Sequence, residues 1–132
     1  MENYIIACAT DDRKNLVDRH FGDAERYELY RYSGDDFIHE ATVENTVSEE
    51  KGHGDSVKAK NIGALLRDYG VKVLVSRQFG ANLAKVRRGF VPVIARVVTI
   101  EAALELLRAH ASEVEGEYQR GEERDHLVLR GE

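Results

Sequence analysis

The sequence predicts an α/β fold in which helices pack on a mixed five-stranded sheet. Two observations indicate this class. Three strand-like runs come first along the chain, and helical and strand-like segments alternate after them. A hairpin followed by such an alternation gives a mixed sheet with helices on its faces. With 132 residues, the chain has the length of one domain.

The composition is that of an ordinary globular protein with an acidic balance. Hydrophobic residues make up 42% of the chain, and 19 basic against 24 acidic residues give a net charge of -5. This balance argues against nucleic acid as the main partner. No apolar run approaches the ~20 residues that span a bilayer, so we expect no membrane segment. The short apolar run after Met1 has no basic region before it, so we expect no signal peptide and a cytoplasmic location.

The first three strands form the antiparallel part of the predicted sheet. Tyr4–Ala9 is apolar throughout, which is typical of a central strand covered on both faces. Arg26–Tyr32 and Phe37–Val43 alternate in polarity, and the turn residues Ser33–Asp36 join them into a hairpin. The single cysteine, Cys8, excludes an internal disulfide and a four-cysteine iron–sulfur site within one chain. Its apolar strand predicts a core position.

The second half of the chain alternates helices and strands. A helix that Asp55 or Ser56 can cap ends at Gly70, and the apolar strand Val71–Val75 follows. Further along come a short helix, a strand and a final helix capped by Thr99, over Ala81–Arg88, Phe90–Ala95 and from Ile100. Pro92 cannot donate to a strand ladder, so we expect its strand at the sheet edge.

Right-handed crossovers place the Val71 strand beside the Tyr4 strand, with the Pro92 strand outside it. The hairpin then takes the other side, which gives the strand order 3-2-1-4-5, a ribonuclease-H-like arrangement. Ligands bind such sheets beyond the carboxyl ends of the strands, where the direction of the connections switches. That point is bordered by two loops, Thr10–Asp23 and Ser76–Gly80.

The first of these loops carries His20-Phe21-Gly22. A neutral imidazole is a common metal ligand. Phe21 can fix the loop, and Gly22 allows a tight turn without a Cβ clash. These residues are therefore candidates for a metal or cofactor site. The alternative is a histidine at a strand entrance whose ring is satisfied by the backbone.

The second loop, with Arg77, Phe79 and Gly80, leads through Ala81 into a helix. Free backbone N–H groups at a helix start beside a glycine bind anions, and Arg77 would add positive charge. An ordinary strand-to-helix turn explains the same residues without a ligand. His53, between two glycines, can swing toward this site as a second metal ligand, or it is simply solvated.

The run from His20 to Ala24, followed by Tyr27 and Tyr30, resembles the dinitrogenase iron–molybdenum cofactor biosynthesis family, in its NifX-like and NifB C-terminal-like domains. Gly52-His53-Gly54 before a helix and the Phe79-Gly80 loop carry the same resemblance, which extends from Tyr4 to Ala109. It implies a ribonuclease-H-like fold and non-enzymatic binding or carriage of an anionic metal–sulfur cluster, of the iron–molybdenum or iron–sulfur type. It also implies that His20 is the cluster ligand and that partners donate or accept the cluster, in nitrogen fixation or outside it.

The chain departs from this family pattern in two places. The loop Arg77-Gln78-Phe79-Gly80 stands where a more glycine-rich turn is usual, and the chain continues past the minimal domain. We therefore divide it into a cofactor-binding domain, residues 1–111, and an acidic C-terminal extension, residues 112–132. We expect mobility between Glu113 and Arg124. The run Leu127-Val128-Leu129 predicts either an added strand or a partner-binding segment.

Two other functions stay open alongside cluster carriage. A metal-dependent nuclease needs carboxylates held together, yet the first strand contains none, and Asp11 and Asp12 lie past its end in a polar turn. A metal-independent regulatory or interaction module would account for the acidic extension. His39, His110 and His126 have no supporting sequence neighbours, and we interpret them as surface residues.

Overall fold

The computed structural model describes residues 3–33, 36–45, 55–80, 86–87 and 89–130. Within them lie six strands and three helices. The strands are β1 Asn3–Thr10, β2 Arg26–Ser33, β3 Asp36–Glu44, β4 Val71–Ser76, β5 Val91–Arg96 and β6 Leu127–Arg130. The helices are α1 Asp55–Asp68, α2 Ile100–Ala109 and α3 Ala111–Gln119. The helix predicted over Ala81–Arg88 lies mostly outside the described residues.

The strands form one mixed sheet in the order β3-β2-β1-β4-β5-β6. The hairpin strands pair antiparallel with each other and with β1, whereas β1–β4, β4–β5 and β5–β6 are parallel. The predicted order of the first five strands is confirmed. The prediction of five strands was one short, because the chain beyond α3 adds β6 alongside β5.

The central strand β1 separates two hydrophobic clusters. Ile6, Cys8 and their neighbours on one face pack with Leu107 of α2 and Val114 of α3. Ala7 and Ala9 on the other face share a cluster with Leu66 of α1. We call these faces the α2/α3 face and the α1 face. Burial on both sides explains why β1 is apolar throughout.

The predicted end of α1 and the predicted cap of α2 are confirmed. Gly70 follows α1 with a φ of 82°, a left-handed conformation that glycine adopts without steric cost, and its N–H donates to the Arg67 carbonyl at 2.9 Å. The Thr99 hydroxyl accepts a hydrogen bond from the Ala102 N–H at 3.0 Å and so caps α2.

The expected edge position of the Pro92 strand is wrong. β5 lies between β4 and β6, and its pairing with β6 begins at Val93. Pro92 therefore lies before the first β5–β6 pair, where its missing N–H does not interrupt that ladder. A proline near the start of a strand is compatible with an interior position in the sheet.

The C-terminal extension is folded onto the domain in the described residues. Part of the segment expected to be mobile is α3, and its Val114 is fully buried on the α2/α3 face. The Leu127-Val128-Leu129 run forms β6, the first of its two predicted roles, and Leu129 is 4% exposed. The division at residue 111 into two units stays a prediction. No helix in the described residues is long and apolar enough to cross a membrane.

Candidate functional site

The two loops that were predicted to meet lie against each other at the carboxyl ends of β1 and β4. His20 forms a parallel bridge with Gln78, and the Phe21 N–H donates to the Gln78 carbonyl at 2.9 Å. The Gln78 side chain donates to the Asp18 carboxylate at 3.0 Å. These contacts fix the loop after β1 to the loop after β4. Gln78 was not among the predicted site residues, because an amide side chain is neither charged nor a common metal ligand.

An aromatic stack underlies the contact. The rings of Phe21 and Phe79 are nearly parallel, at an interplanar angle of 12° and a centroid distance of 5.3 Å. The ring of Tyr27 of β2 also packs on Phe21, tilted by 37°, and its hydroxyl donates to the Phe21 carbonyl at 2.8 Å. Phe21 is buried and Phe79 is half-buried. The packing of these rings therefore fixes the backbone next to His20.

The close approach of His20 to Gly80 is the tightest feature of the site. A Cβ atom on Gly80 would lie 2.8 Å from Nδ1 of His20 and 3.4 Å from its Cγ. Any other residue at position 80 would thus displace the imidazole. The edge of the ring that carries Nδ1 faces Gly80, so Nε2 lies on the other side. His20 is exposed, and its ring makes no hydrogen bond within the part of the chain that the structure describes.

Gly22 does not have the role that its position in the motif suggested. A Cβ atom there would meet nothing within 4 Å, and its φ is not in the left-handed region. The expected steric reason for a glycine is therefore wrong. The backbone carbonyl of Gly22 instead accepts a hydrogen bond from the Asn45 side chain at 3.0 Å, and Asn45 also donates to Ala24 at 2.8 Å. Asn45 follows β3, and nothing in the sequence marked it.

Ion pairs and hydrogen bonds of charged side chains stabilise the first loop. Arg19 binds the Asp11 carboxylate with two hydrogen bonds of 2.7 and 3.0 Å and donates to the Asp23 carbonyl at 2.7 Å. Partial burial raises the pKa of Asp11, but the hydrogen bonds from Arg19 and from the Glu25 N–H outweigh it, so that its pKa lies below the usual range. Arg77 is half-buried at the second loop, 3.8 Å from the Asp18 carboxylate, which offsets part of its charge.

Asp12 organises the turn after β1. Its carboxylate accepts from the backbone N–H groups of Asn15 and Lys14 at 2.8 and 2.9 Å, and from the Asn15 side chain at 2.8 Å. These bonds lower the pKa of Asp12 to about 2. Asp11 and Asp12 thus both form hydrogen bonds within the loop, which agrees with their interpretation as residues of a polar turn.

A buried carboxylate that was not predicted from the sequence lies on the α2/α3 face of the sheet, near the carboxyl end of β1. Glu28 of β2 is 1% exposed and accepts from Arg13 at 2.6 Å, from Thr42 at 2.8 Å and from His39. Burial raises the pKa of Glu28, but the hydrogen bonds from His39, Thr42 and Arg13 outweigh it, and its pKa is lowered. Arg13 has a φ of 72°, unusual for a residue other than glycine. We call these four residues the Glu28 cluster.

The Glu28 cluster corrects the interpretation of His39 as a surface residue without partners. His39 is exposed, yet its Nε2 is bound to a buried acid. A register shift between Leu29 and Tyr30 places a β-bulge in the β2–β3 pair, which brings His39 to the same face as Thr42. His110 and His126 likewise lie within 3.0 Å of carboxylates, those of Glu113 and Asp125.

The remaining predicted site residues do not join the contact. Ala81 and His53 lie outside the described residues. Cys8 is fully buried, and burial together with the nearby Glu28 carboxylate raises the pKa of its thiol, so it is a core residue as predicted. Within the described residues, no group of three or more His, Cys, Asp or Glu side chains could hold a metal ion.

Comparisons with known proteins point to one family. The chain is similar in fold to the NMR structure of a Methanococcus jannaschii protein provisionally described as a dinitrogenase, with a TM-score of 0.57 at 15% identity over 84% of this chain and 92% of that one. No curated protein matches the sequence. Residues 2–110 match the family model described as dinitrogenase iron-molybdenum cofactor. Since this match spans most of the chain, the protein belongs to the dinitrogenase iron–molybdenum cofactor family.

Proposed function

We propose that this protein binds or carries an anionic metal–sulfur cluster, without enzymatic activity, where the loop after β1 meets the loop after β4. Family membership supports a part in the biosynthesis or carriage of the iron–molybdenum cofactor. The observation that carries the proposal for this site is the imidazole of His20. It is exposed, it is held against Gly80, and it has no hydrogen-bond partner within the described residues.

The donor set favours a preassembled cluster over a single metal ion. Protein sites for one transition-metal ion usually need three or four side-chain ligands. The described residues offer no such group at this edge, and His20 is the one imidazole that lies free there. A cluster brings its own sulfide ligands, so that one histidine suffices to bind it. His53 stays a proposed second ligand.

The residues around His20 hold its ring in position. The stack of Phe21 and Phe79 and the bridge between His20 and Gln78 fix the backbone on either side of the ring. Because Gly80 has no side chain, the His20 ring fits beside it, and Nε2 of the ring faces away from Gly80. Arg77 would contribute positive potential toward an anionic cargo, and the helix that the sequence predicts after Gly80 would add the N–H groups of its first turn. Binding of this kind is reversible because it needs only one coordinate bond.

Anaerobic loading tests the proposal. The full chain is titrated with a preassembled iron–sulfur or molybdenum–sulfur cluster, and visible absorption and bound metal are measured after desalting. We expect cluster to be retained by the wild type and lost from His20→Ala. His110→Ala serves as the matched control, because His110 is bonded to Glu113 far from the site in the chain. If the wild type stays colourless and free of metal, the proposal fails.

A metal-independent interaction module is the second candidate. The observation that favours it is the folded extension, in which α3 and β6 pack on the core and present a new edge of the sheet. A stable partner bound equally by wild-type and His20→Ala protein, with no metal retained by either, would support this function instead.

A further inference from the structure

The carboxyl ends of β5 and β6 place two arginines side by side. Arg96 and Arg130 are the last residues of their strands and are directly paired in the parallel register. Paired residues of neighbouring strands point to the same face, with their backbones about 4.8 Å apart. Both arginines are exposed. The two side chains therefore start from neighbouring positions on the same face of the sheet.

No carboxylate neutralises this pair in the described part of the chain. Three other arginines behave differently, since Arg19, Arg31 and Arg120 each lie within 3.1 Å of a carboxylate oxygen. Like charges that face each other across two strands destabilise a sheet. In a chain with 24 acidic residues, a pair of arginines without a carboxylate partner among the described residues is a candidate site for the negative charge of another molecule.

An apolar side chain and an open strand edge lie next to the arginines. Val128 is 40% exposed and pairs with Ile94 on the same face as Arg96 and Arg130, since alternate residues of a strand share a face. β6 is also the outermost strand of the sheet in the described residues. Its outer N–H and C=O groups can therefore pair with an added strand.

We propose that the outer edge of β6 binds an extended acidic segment of a partner protein. The segment adds as a further strand, with a carboxylate on Arg130 and Arg96 and an apolar side chain two positions away on Val128. Charge complementarity and the open backbone edge together favour a peptide strand over a small anion, which would use the arginines alone. The partner strand would then run beside β6, and only its end near Arg96 and Arg130 would reach the carboxyl ends of the parallel strands.

Most of this surface, namely β6 with Val128 and Arg130, lies in the extension beyond the matched domain. The family model ends at residue 110, so a domain limited to the matched residues would contain Arg96 but neither β6 nor Arg130. The inference does not require a bound cluster, and it is tested on protein without metal. Its failure would therefore leave the proposed function untouched.

The probe is a capped heptapeptide with a glutamate and a valine two positions apart and threonines between and around them, so that the glutamate and the valine lie on the same face of the extended strand. Binding to the full chain is measured by calorimetry and by NMR chemical-shift changes at Val128 and Arg130. We expect Arg96→Gln/Arg130→Gln to weaken binding by about tenfold or more, because it removes both charge-assisted contacts. Arg31→Gln/Arg120→Gln is the matched control, which removes the same charge from two arginines that already have carboxylate partners. The control is expected to bind like the wild type.

Three outcomes would overturn the inference. One is equal binding by the Arg96/Arg130 variant and its control. Another is equal binding of a peptide whose N–H groups facing β6 are methylated, together with full displacement by inorganic phosphate, which would show a small-anion site only. The third is self-association of the full chain that the Arg96/Arg130 variant abolishes, with no peptide binding, which would make a second copy of the chain the occupant.

Discussion

Two histidines at the same edge of the sheet differ in what their rings are bound to. His39 is bonded to the buried carboxylate of Glu28, which also binds Arg13 and Thr42. His20 lies against a glycine, above a stack of aromatic rings, and within the described residues its ring has no hydrogen-bond partner. Both are exposed, so exposure alone does not distinguish a structural histidine from an available one. The difference lies in whether the ring is already hydrogen-bonded to a neighbouring side chain.

The first prediction removes the support below His20. Phe21→Ala deletes a ring that is 4% exposed and packs on both Phe79 and Tyr27, so we expect a loss of about 3–5 kcal/mol in the free energy of unfolding. Chemical denaturation monitored by circular dichroism measures it. Phe37→Ala, at a half-buried ring near the hairpin turn, should cost clearly less. Equal losses would show that the stack does not stabilise the site more than an ordinary aromatic contact.

The second prediction breaks the Glu28 cluster. Glu28→Ala leaves Arg13, His39 and Thr42 without their common acceptor, and we expect a loss of about 1–3 kcal/mol, because Arg13 and His39 both remain partly exposed to water. His39→Ala should cost less, since Glu28 keeps its other two donors. Thermal and chemical denaturation of both variants measure the difference. A larger loss in His39→Ala would mean that the histidine, not the acid, is the centre of the cluster.

The third prediction concerns the close contact between His20 and Gly80. Gly80→Ala puts a methyl group where the His20 ring lies, 2.8 Å from Nδ1. We expect the stability to change by only about 1 kcal/mol, because the exposed ring can rotate away. Cluster retention should nevertheless fall to the level of His20→Ala. Gly22→Ala is the matched control, since a Cβ there meets open space, and it should load normally. Normal loading of Gly80→Ala would contradict the assigned geometry.

The smallest predicted effect concerns the loop that both histidines border. The pKa of Asp12 is about 2 in the folded protein and about 3.9 in an unfolded chain. A depressed carboxyl pKa stabilises the fold above the unfolded value, and this contribution is lost as the pH falls through the folded value. Asp12→Asn should therefore weaken the dependence of stability on pH between about 4 and 2. Denaturation midpoints measured across this range test it; an unchanged slope would show that the turn bonds are absent in solution.

Much of the fold followed from the sequence because it depends on local patterns. The continuous apolar run of β1, the alternation in β2 and β3, and the cap at Thr99 each reflect neighbouring residues, and right-handed crossovers then limited the strand order. The wrong predictions concern the position of a strand in the sheet, which depends on other strands far away in the sequence. Pro92 looked like an edge residue because β6, which pairs with β5 from Val93 onward, comes more than thirty residues later.

The sequence by itself determined the family pattern, the strand order of the first five strands and the two loops that border the site. Only the tertiary structure decided that Gly80 makes room for the His20 ring, that Gly22 is not sterically required, and that His39 is bound to Glu28 through a β-bulge. The physical reason is that periodicity and turn chemistry are encoded over a few residues. A contact between two side chains depends on distances set by the whole packed sheet.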